Sequence, residues 1–201
     1  QAASPLLLIT EVQPQSATAK TEEFIEIYNP TDQAVSLNSF QVVYFSAANS
    51  SGSPLVLTPS LLGTSLKSHG YLLLKQSGYQ LEADASFANS GLSDGGGHVQ
   101  ILLNNQVIDT VGWGTAAHPE GQAAQAVAKE ETISRAVNAD GFFQDTDNNL
   151  MDFQGATPSP TGGGIVEDVP DVCSNIEGIQ VVPPMGYEVI GDGTCQLIKV
   201  C

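Results

Sequence analysis

The chain is 201 residues long and carries 22 acidic against 6 basic side chains, a net charge of −16. That balance argues against nucleic acid as a partner, because phosphate binding rests on cationic side chains that release counterions, and it is repelled by anionic lipid headgroups. No apolar run approaches the ~20 residues that span a bilayer, so direct membrane insertion is not expected; 14% charged residues with 20 glycines and 11 prolines suit an all-β chain rich in turns.

Residues 6–12 read as an opening strand bounded by Pro5 and Pro14. Residues 24–28 form a second, stopped by the turn signal Asn29-Pro30. Alternation puts Phe24, Glu26 and Tyr28 on one face and Ile25 and Ile27 on the other. Residues 35–45 read as one long strand whose parity changes between Leu37 and Phe40, which predicts a bulge near Asn38-Ser39. Residues 49–53 form a polar loop, and the apolar run 70–75 predicts a central strand covered on both faces. Residues 98–103, Asn104-Asn105 and 106–113 predict a hairpin, since Asn tolerates the positive φ of a two-residue turn. In its return strand Val107, Asp109, Val111 and Trp113 share one face. The Ala-rich stretch 116–129 reads either as one or two helical turns or as a loop; 131–137 is another strand, and 145–149 is rich in turn formers. Thr157-Pro158-Ser159-Pro160-Thr161-Gly162-Gly163-Gly164 is a linker by composition. The expected organisation is a domain over 1–156, a Pro/Gly linker over 157–164 and a small module over 165–201. Seven or more short strands without a long helix describe a β-sandwich.

An ordered set of segments over residues 6–158 is more specific. It comprises Ile9-Thr10-Glu11-Val12, Glu23-Phe24-Ile25-Glu26-Ile27-Tyr28-Asn29-Pro30, Val35-Ser36-Leu37-Asn38-Ser39-Phe40 and Leu92-Ser93-Asp94-Gly95-Gly96-Gly97. Asp109-Thr110-Val111-Gly112-Trp113-Gly114, Ser134-Arg135, Asp147-Asn148-Asn149 and Asp152-Phe153 complete it. In this set the chain resembles the lamin tail domain family, seen in nuclear lamins and in many secreted bacterial proteins. The resemblance implies an immunoglobulin-like β-sandwich in which Glu26, Asn29, Asp94, Asp109, Trp113 and Arg135 are structural. A carboxylate such as Glu26 must find partners when buried, for example backbone N–H groups of a neighbouring loop. Asp94 can close an Asx-type turn, and Trp113, the only Trp, is most simply a core anchor. The DNA binding associated with lamin tails is not carried over, because the charge here has the wrong sign.

Catalytic signatures are sparse. His69, His98 and His118 lack metal-type spacing, no Gly-x-Ser-x-Gly elbow occurs, and Glu22/Glu23 and Glu130/Glu131 are neighbours that point to opposite strand faces. The loop 92–97 lacks the Gly-Lys-Ser/Thr of a phosphate loop. A non-enzymatic protein without cofactor is therefore expected, with one candidate Ca²⁺ set, Asp145, Asp147, Asn149 and Asp152, to which Asp140 could add. Hard cations take several oxygens from short loops. The set is not an EF-hand, since Leu150 and Ala156 stand where that loop needs Gly and Glu. Asx turns capping strand ends are the alternative use of the same residues.

Cys173, Cys195 and Cys201, the only cysteines, all lie beyond residue 172. They suit a small disulfide-pinned β-module. A Cys173–Cys195 bridge would close a loop of about 22 residues and contribute about 3 kcal/mol; Cys173–Cys201 is the rival. One cysteine is left for an intermolecular link or attachment. The segments Cys173-Ser174-Asn175, Gly178-Ile179-Gln180, Pro184-Met185-Gly186-Tyr187 and Cys195 are similar to C-terminal segments of surface proteins from ultrasmall bacteria. With the opening Gln1-Ala2-Ala3-Ser4-Pro5, these cysteines predict export through a removed signal peptide to the cell surface. The expected function is that of an extracellular structural or adhesive module that contacts proteins or copies of itself. The alternatives are a self-assembling subunit of a filament or surface layer, and an accessory domain of a secreted hydrolase or nuclease.

Overall fold

The structure, a computed structural model, describes residues 6–15, 22–47, 55–56, 61–88, 91–167, 185, 187–190 and 194–197. In chain order its strands are β1 (Leu8–Gln13), β2 (Phe24–Tyr28), β3 (Val35–Ser36), β4 (Phe40–Ser46), β5 (Leu55–Val56), β6 (Thr64–Leu66), β7 (Tyr71–Gln76), β8 (Ala85–Phe87), β9 (Gly96–Leu103), β10 (Gln106–Gly114) and β11 (Thr132–Arg135). A one-turn helix α1 (Asn149–Asp152) follows, then β12 (Phe153–Ala156), β13 (Ile165–Glu167), β14 (Tyr187–Val189) and β15 (Cys195–Leu197). The chain divides into two compact units, Gln1–Val166 and Glu167–Cys201.

In the first unit a six-stranded sheet, β12-β11-β1-β2-β7-β8, and a four-stranded sheet, β10-β9-β4-β5, share one core. Ile9, Ile25, Ile27, Leu72, Leu74 and Ile133 from the first meet Phe40, Val42, Val99, Ile101, Val111 and Trp113 from the second. This is the all-β sandwich expected. A small third sheet, β13-β6-β3, lies beside them in the strand order. Ile9 and Val12 both reach the core although three apart, because the β1–β2 register shifts between Ile9 and Glu11; one extra residue resets the alternation. β7 is central, between β2 and β8, with Leu72, Leu73 and Leu74 all buried.

The hairpin forms as its sequence dictates. Asn104 and Asn105 take φ of 53° and 61°, the paired positive values that a two-residue turn matching strand twist requires. Two expectations are corrected. First, 35–45 is not one bulged strand: Phe40 N donates to Leu37 O at 3.1 Å to close a turn, sending β3 and β4 into different sheets. Second, the β9–β10 register shifts between Val107 and Asp109, so Val107 is 50% exposed while Asp109, Val111 and Trp113 are buried. The Ala-rich stretch settles as a loop, bridged to β10 through Trp113 and Ala124.

The segment 157–164, expected as a linker, runs as a strap across the outer face of the six-stranded sheet. Glu11 and Glu26 are cross-strand partners there. Ser159 N and Oγ donate to Glu11 at 3.0 and 3.1 Å, Thr161 N donates to Glu26 Oε2 at 2.5 Å, and Gly163 N donates to Asp84 Oδ1 at 2.8 Å. The alternate N–H groups thus each find a carboxylate, while Pro158 and Pro160 between them have no N–H to satisfy. Gly164 then lies so close to Tyr71 that a Cβ would sit 2.4 Å from its carbonyl oxygen. The strap ends by entering β13.

In the second unit β14 and β15 pair antiparallel, and Ile190 N donates to Thr194 O at 2.8 Å to close their loop. Cys195 is buried, at 5% exposure. Cys173 and Cys201, and so the expected pairings, lie outside the described residues. Among the described residues no helix is long and apolar enough to cross a membrane.

Removing the strap would hand the Glu11, Glu26 and Asp84 carboxylates to water and lose the strap's hydrogen bonds, each worth about 0.5–1.5 kcal/mol net, with the packing of Ile165. A chain ending at residue 156 is expected to be about 2–5 kcal/mol less stable in urea than one ending at residue 167. Equal midpoints would show that the strap is a passive tether.

Candidate functional site

The buried polar groups of the sandwich form a tie between its sheets. Asp109 alternates with Val111 and Trp113 on the inward face of β10, where it is 3% exposed. Its Oδ2 accepts Ile9 N at 2.6 Å, and both carboxylate oxygens accept Arg135 NH2, at 2.6 and 2.8 Å. Arg135, from β11, also donates Nε to Ile9 O at 2.8 Å and NH1 to Gln144 O at 2.9 Å, and its guanidinium lies 4.5 Å over the Phe153 ring. One ion pair thereby joins β10 of the four-stranded sheet to β1 and β11 of the six-stranded sheet. Burial pushes the Asp109 carboxyl up, and the Arg135 charge with the Ile9 N–H pulls it back down.

Carboxylate oxygens of Asp109, Glu120 and Asp145 lie within 4.8 Å of one another, in the manner of a metal centre. The guanidinium already supplies a cation there, since Arg135 NH1 also reaches Asp145 at 3.4 Å. Burial, with the Asp109 and Asp145 charges beside it, pushes Glu120 up to about 8, so at neutral pH it adds no charge to the cluster.

The candidate Ca²⁺ residues go different ways. Asp152, fully buried, accepts Thr146 N at 2.9 Å and Thr146 Oγ1 at 2.8 Å, and Gln144 Nε2 donates to it at 3.2 Å. Asn149 is also buried: Oδ1 accepts Gly112 N and Glu120 N, and Nδ2 donates to Thr110 O. Asp145 pairs with Arg135, and Asp147, at φ 57°, is exposed. Two of the four side chains therefore serve backbone groups of the fold. Asn148, not singled out in the sequence, caps α1 by accepting Leu150 N.

The remaining sequence candidates are dispersed. Glu26 accepts Thr10 Oγ1 at 2.7 Å and the strap's Thr161 N; burial pushes it up to about 7. Asn29 is wholly buried, donating to Gln33, Leu66 and Lys67 carbonyls and accepting from Thr31. The exposed Asp94 accepts Gln15 Nε2 at 2.8 Å, while its turn is closed by Gly96 N donating to Ser93 O. Trp113 is fully buried, stacks on Tyr44 and donates Nε1 to Ser93 O at 2.8 Å. Glu23 went unrecognised in the sequence. It is fully buried, one oxygen accepts Leu92 N at 2.7 Å, the other has no hydrogen-bond partner among the described residues, and burial pushes the group up to about 8. A Glu at the edge of an apolar strand was its only signal.

The outer surface carries a different feature. Tyr28 and Tyr71 are cross-strand partners with ring centres 4.7 Å apart, and Phe143 packs edge-on to Tyr28 at 5.2 Å. Tyr28 Oη meets His69 Nδ1 at 3.0 Å, and His69 Nε2 meets Asp32 at 3.0 Å. Next to Phe143 a tight loop leaves Phe142 70% and Val137 57% exposed. The loop is stiff. Asn138 N donates to Phe142 O, Gly141 N donates to Asn138 O, and Asn138 Oδ1 accepts both Asp140 N and Phe142 N.

Comparison with known proteins gives two findings. A family model described as Lamin Tail Domain matches residues 1–115. Among solved structures, a DUF4876 family protein from Bacteroides thetaiotaomicron VPI-5482 is similar in fold, with a TM-score of 0.51 and 14% identity over 80% of this chain and 74% of that one. No curated protein matches.

Replacing Asp109 with Ala leaves the buried Arg135 with only its longer contact to Asp145, and should cost about 3–5 kcal/mol in urea unfolding. The double variant Asp109→Leu, Arg135→Met should be less destabilised than either single change; additive losses would refute the tie. The raised carboxyls of Glu23 and Glu120 (about 8) and Glu26 (about 7) mean that the folded chain holds protons the unfolded chain releases. Their contribution is full below the unfolded value of 4.5 and lost as pH rises through 7–8. Thermal melting should therefore fall between pH 5 and pH 9 by less in Glu23→Gln than in the parent; parallel curves would contradict this.

Proposed function

The chain belongs to the lamin tail domain family, and from that premise we propose that it is an extracellular, non-enzymatic module of the secreted bacterial type. It acts by protein–protein contact at the cell surface. The observation that carries the reading is the stiff loop 137–143, which presents Phe142 and Val137 to solvent beside the Tyr28–Tyr71–Phe143 cluster. Exposed aromatic residues on a preorganised support lose little conformational entropy on binding and are the side chains that dominate protein interfaces. The interior polar groups support the same reading: Asp109, Arg135, Asn149, Asp152 and Glu26 are each engaged in holding backbone or one another. The acidic surface suits a partner with basic residues around an apolar pocket.

A second reading, a self-assembling subunit, is favoured by β10, an edge strand whose first residues, Gln106 and Val107, are exposed. For the C-terminal unit we propose a module pinned by a Cys173–Cys195 bridge, with Cys201 left for attachment. The support is that Cys195 is buried, at 5% exposure, at the start of β15. Peptide mapping under non-reducing conditions that joined Cys195 to Cys201 would overturn that pairing.

The double variant Val137→Ser, Phe142→Ser should fold as the parent does, by near-ultraviolet circular dichroism, and lose retention on the surface of the producing cells by about ten-fold or more. Unchanged retention would refute the contact face. Concentration-dependent light scattering by both proteins, with retention unchanged, would favour the assembly reading instead.

A further inference from the structure

We propose that His98 and His118 form a two-imidazole site for a divalent transition-metal ion of the zinc, nickel and copper class, where β9 meets the loop following β10. The two histidines are 20 residues apart and no metal-type spacing links them; the fold brings them together. His98 lies opposite Gly112 in the β9–β10 register. Gly112 has no side chain, and the loop settles directly onto it: a Cβ there would meet Pro119 at 2.7 and 2.8 Å and Ala116 at 3.1 Å. That close descent carries His118 over His98, with ring centres 5.7 Å apart and planes at 84°.

The pair has the dimensions that an ion needs. With N–metal bonds of about 2.0–2.1 Å, two imidazoles on one ion place their ring centres about 5–6.5 Å apart, depending on the N–metal–N angle. The rigid half is His98: it is 1% exposed and lies flat on the Phe45 ring, 4.7 Å away at 8°. Its Nδ1 has no hydrogen-bond partner among the described residues, and an orphaned buried ring nitrogen is a cost that needs a compensating role. His118 is exposed, so an ion can reach the pair and keep water in its other positions.

The chemistry selects the ion. Two neutral nitrogens suit zinc, copper and nickel and offer nothing to calcium or magnesium, which take oxygen ligands. The net charge of −16 raises the local concentration of any cation.

Titration of the full chain with ZnCl₂ and NiCl₂ tests the site, with CaCl₂ as the control for diffuse binding to carboxylates. The zinc and nickel salts should raise the melting temperature, since an ion that binds only the folded state stabilises it by mass action, and CaCl₂ at the same concentration should not. His118→Gln, at an exposed position, should leave the metal-free melting temperature unchanged and weaken zinc binding by about ten-fold or more in calorimetry. In the unmodified chain, substoichiometric Ni²⁺ should broaden the ring-proton resonances of His98 and His118 before any others, a readout independent of any variant's folding. Equal zinc affinity in His118→Gln would place the ion elsewhere, at the cysteines or carboxylates, and overturn the proposal. So would an equal shift with CaCl₂, no shift with any salt, or nickel broadening that spares the two histidines.

Discussion

The pairing of Arg135 with Asp109 is the interaction on which the sandwich depends. Two sheets that meet only through apolar side chains can slide, because dispersion and hydrophobic contacts have little directionality. The buried ion pair removes that freedom: one guanidinium holds the carboxylate of β10 and the backbone carbonyl of Ile9, while the carboxylate takes the Ile9 N–H. The same backbone unit of β1 is therefore held from both sides. The two register shifts, in β1 next to Ile9 and in β10 next to Asp109, lie where this geometry is made. Regular alternation with Val111 and Trp113 aims Asp109 inward, and the bulge before it turns Val107 out to solvent.

Acids recur in this role throughout the first unit. Asp109 holds β1, Glu11 and Glu26 hold the strap, Asp84 holds both Leu73 N and Gly163 N, and Asp152 organises the turn before α1. Carboxylates accept several N–H groups at once, so a chain with many irregular segments can satisfy their backbone with few side chains. The excess of acid over base in the sequence is thus partly architectural. Glu23 and Glu120 are the exceptions, each with one buried oxygen lacking a partner among the described residues and a carboxyl shifted toward its neutral form.

What could be read from the sequence follows from the range of the forces involved. The Asn104-Asn105 turn is a local requirement for positive φ and was legible, as was the central apolar strand β7. The ordered motifs from Ile9 to Trp113 fall within the residues that the family model matches, and they carried the family and with it the sandwich. The strap was not legible, because Pro and Gly read as a tether unless one knows that carboxylates from strands far earlier in the chain wait opposite its N–H groups. The acidic turn has a similar limit. The spacing Asp145-x-Asp147-x-Asn149 looks like a cation loop, but spacing cannot reveal that Asn149 points inward at Gly112, Glu120 and Thr110. The approach of His118 to His98 depends on a bare glycine across the strand and has no sequence signature at all.

The strap also decides how the sandwich answers mechanical load. A pull at Glu167 reaches the first unit through β13 and then through bonds met one after another, at Gly164, Gly163, Thr161 and Ser159. Bonds loaded in series peel singly, each at low force, whereas paired strands sheared along their length must break together. The ten residues from 157 to 166 have a contour length of about 33–36 Å, so peeling them frees that length less the distance the strap already spans before the load reaches β12. The sandwich core would stay intact meanwhile, so the strap is a built-in slack for whatever hangs from its C-terminal side.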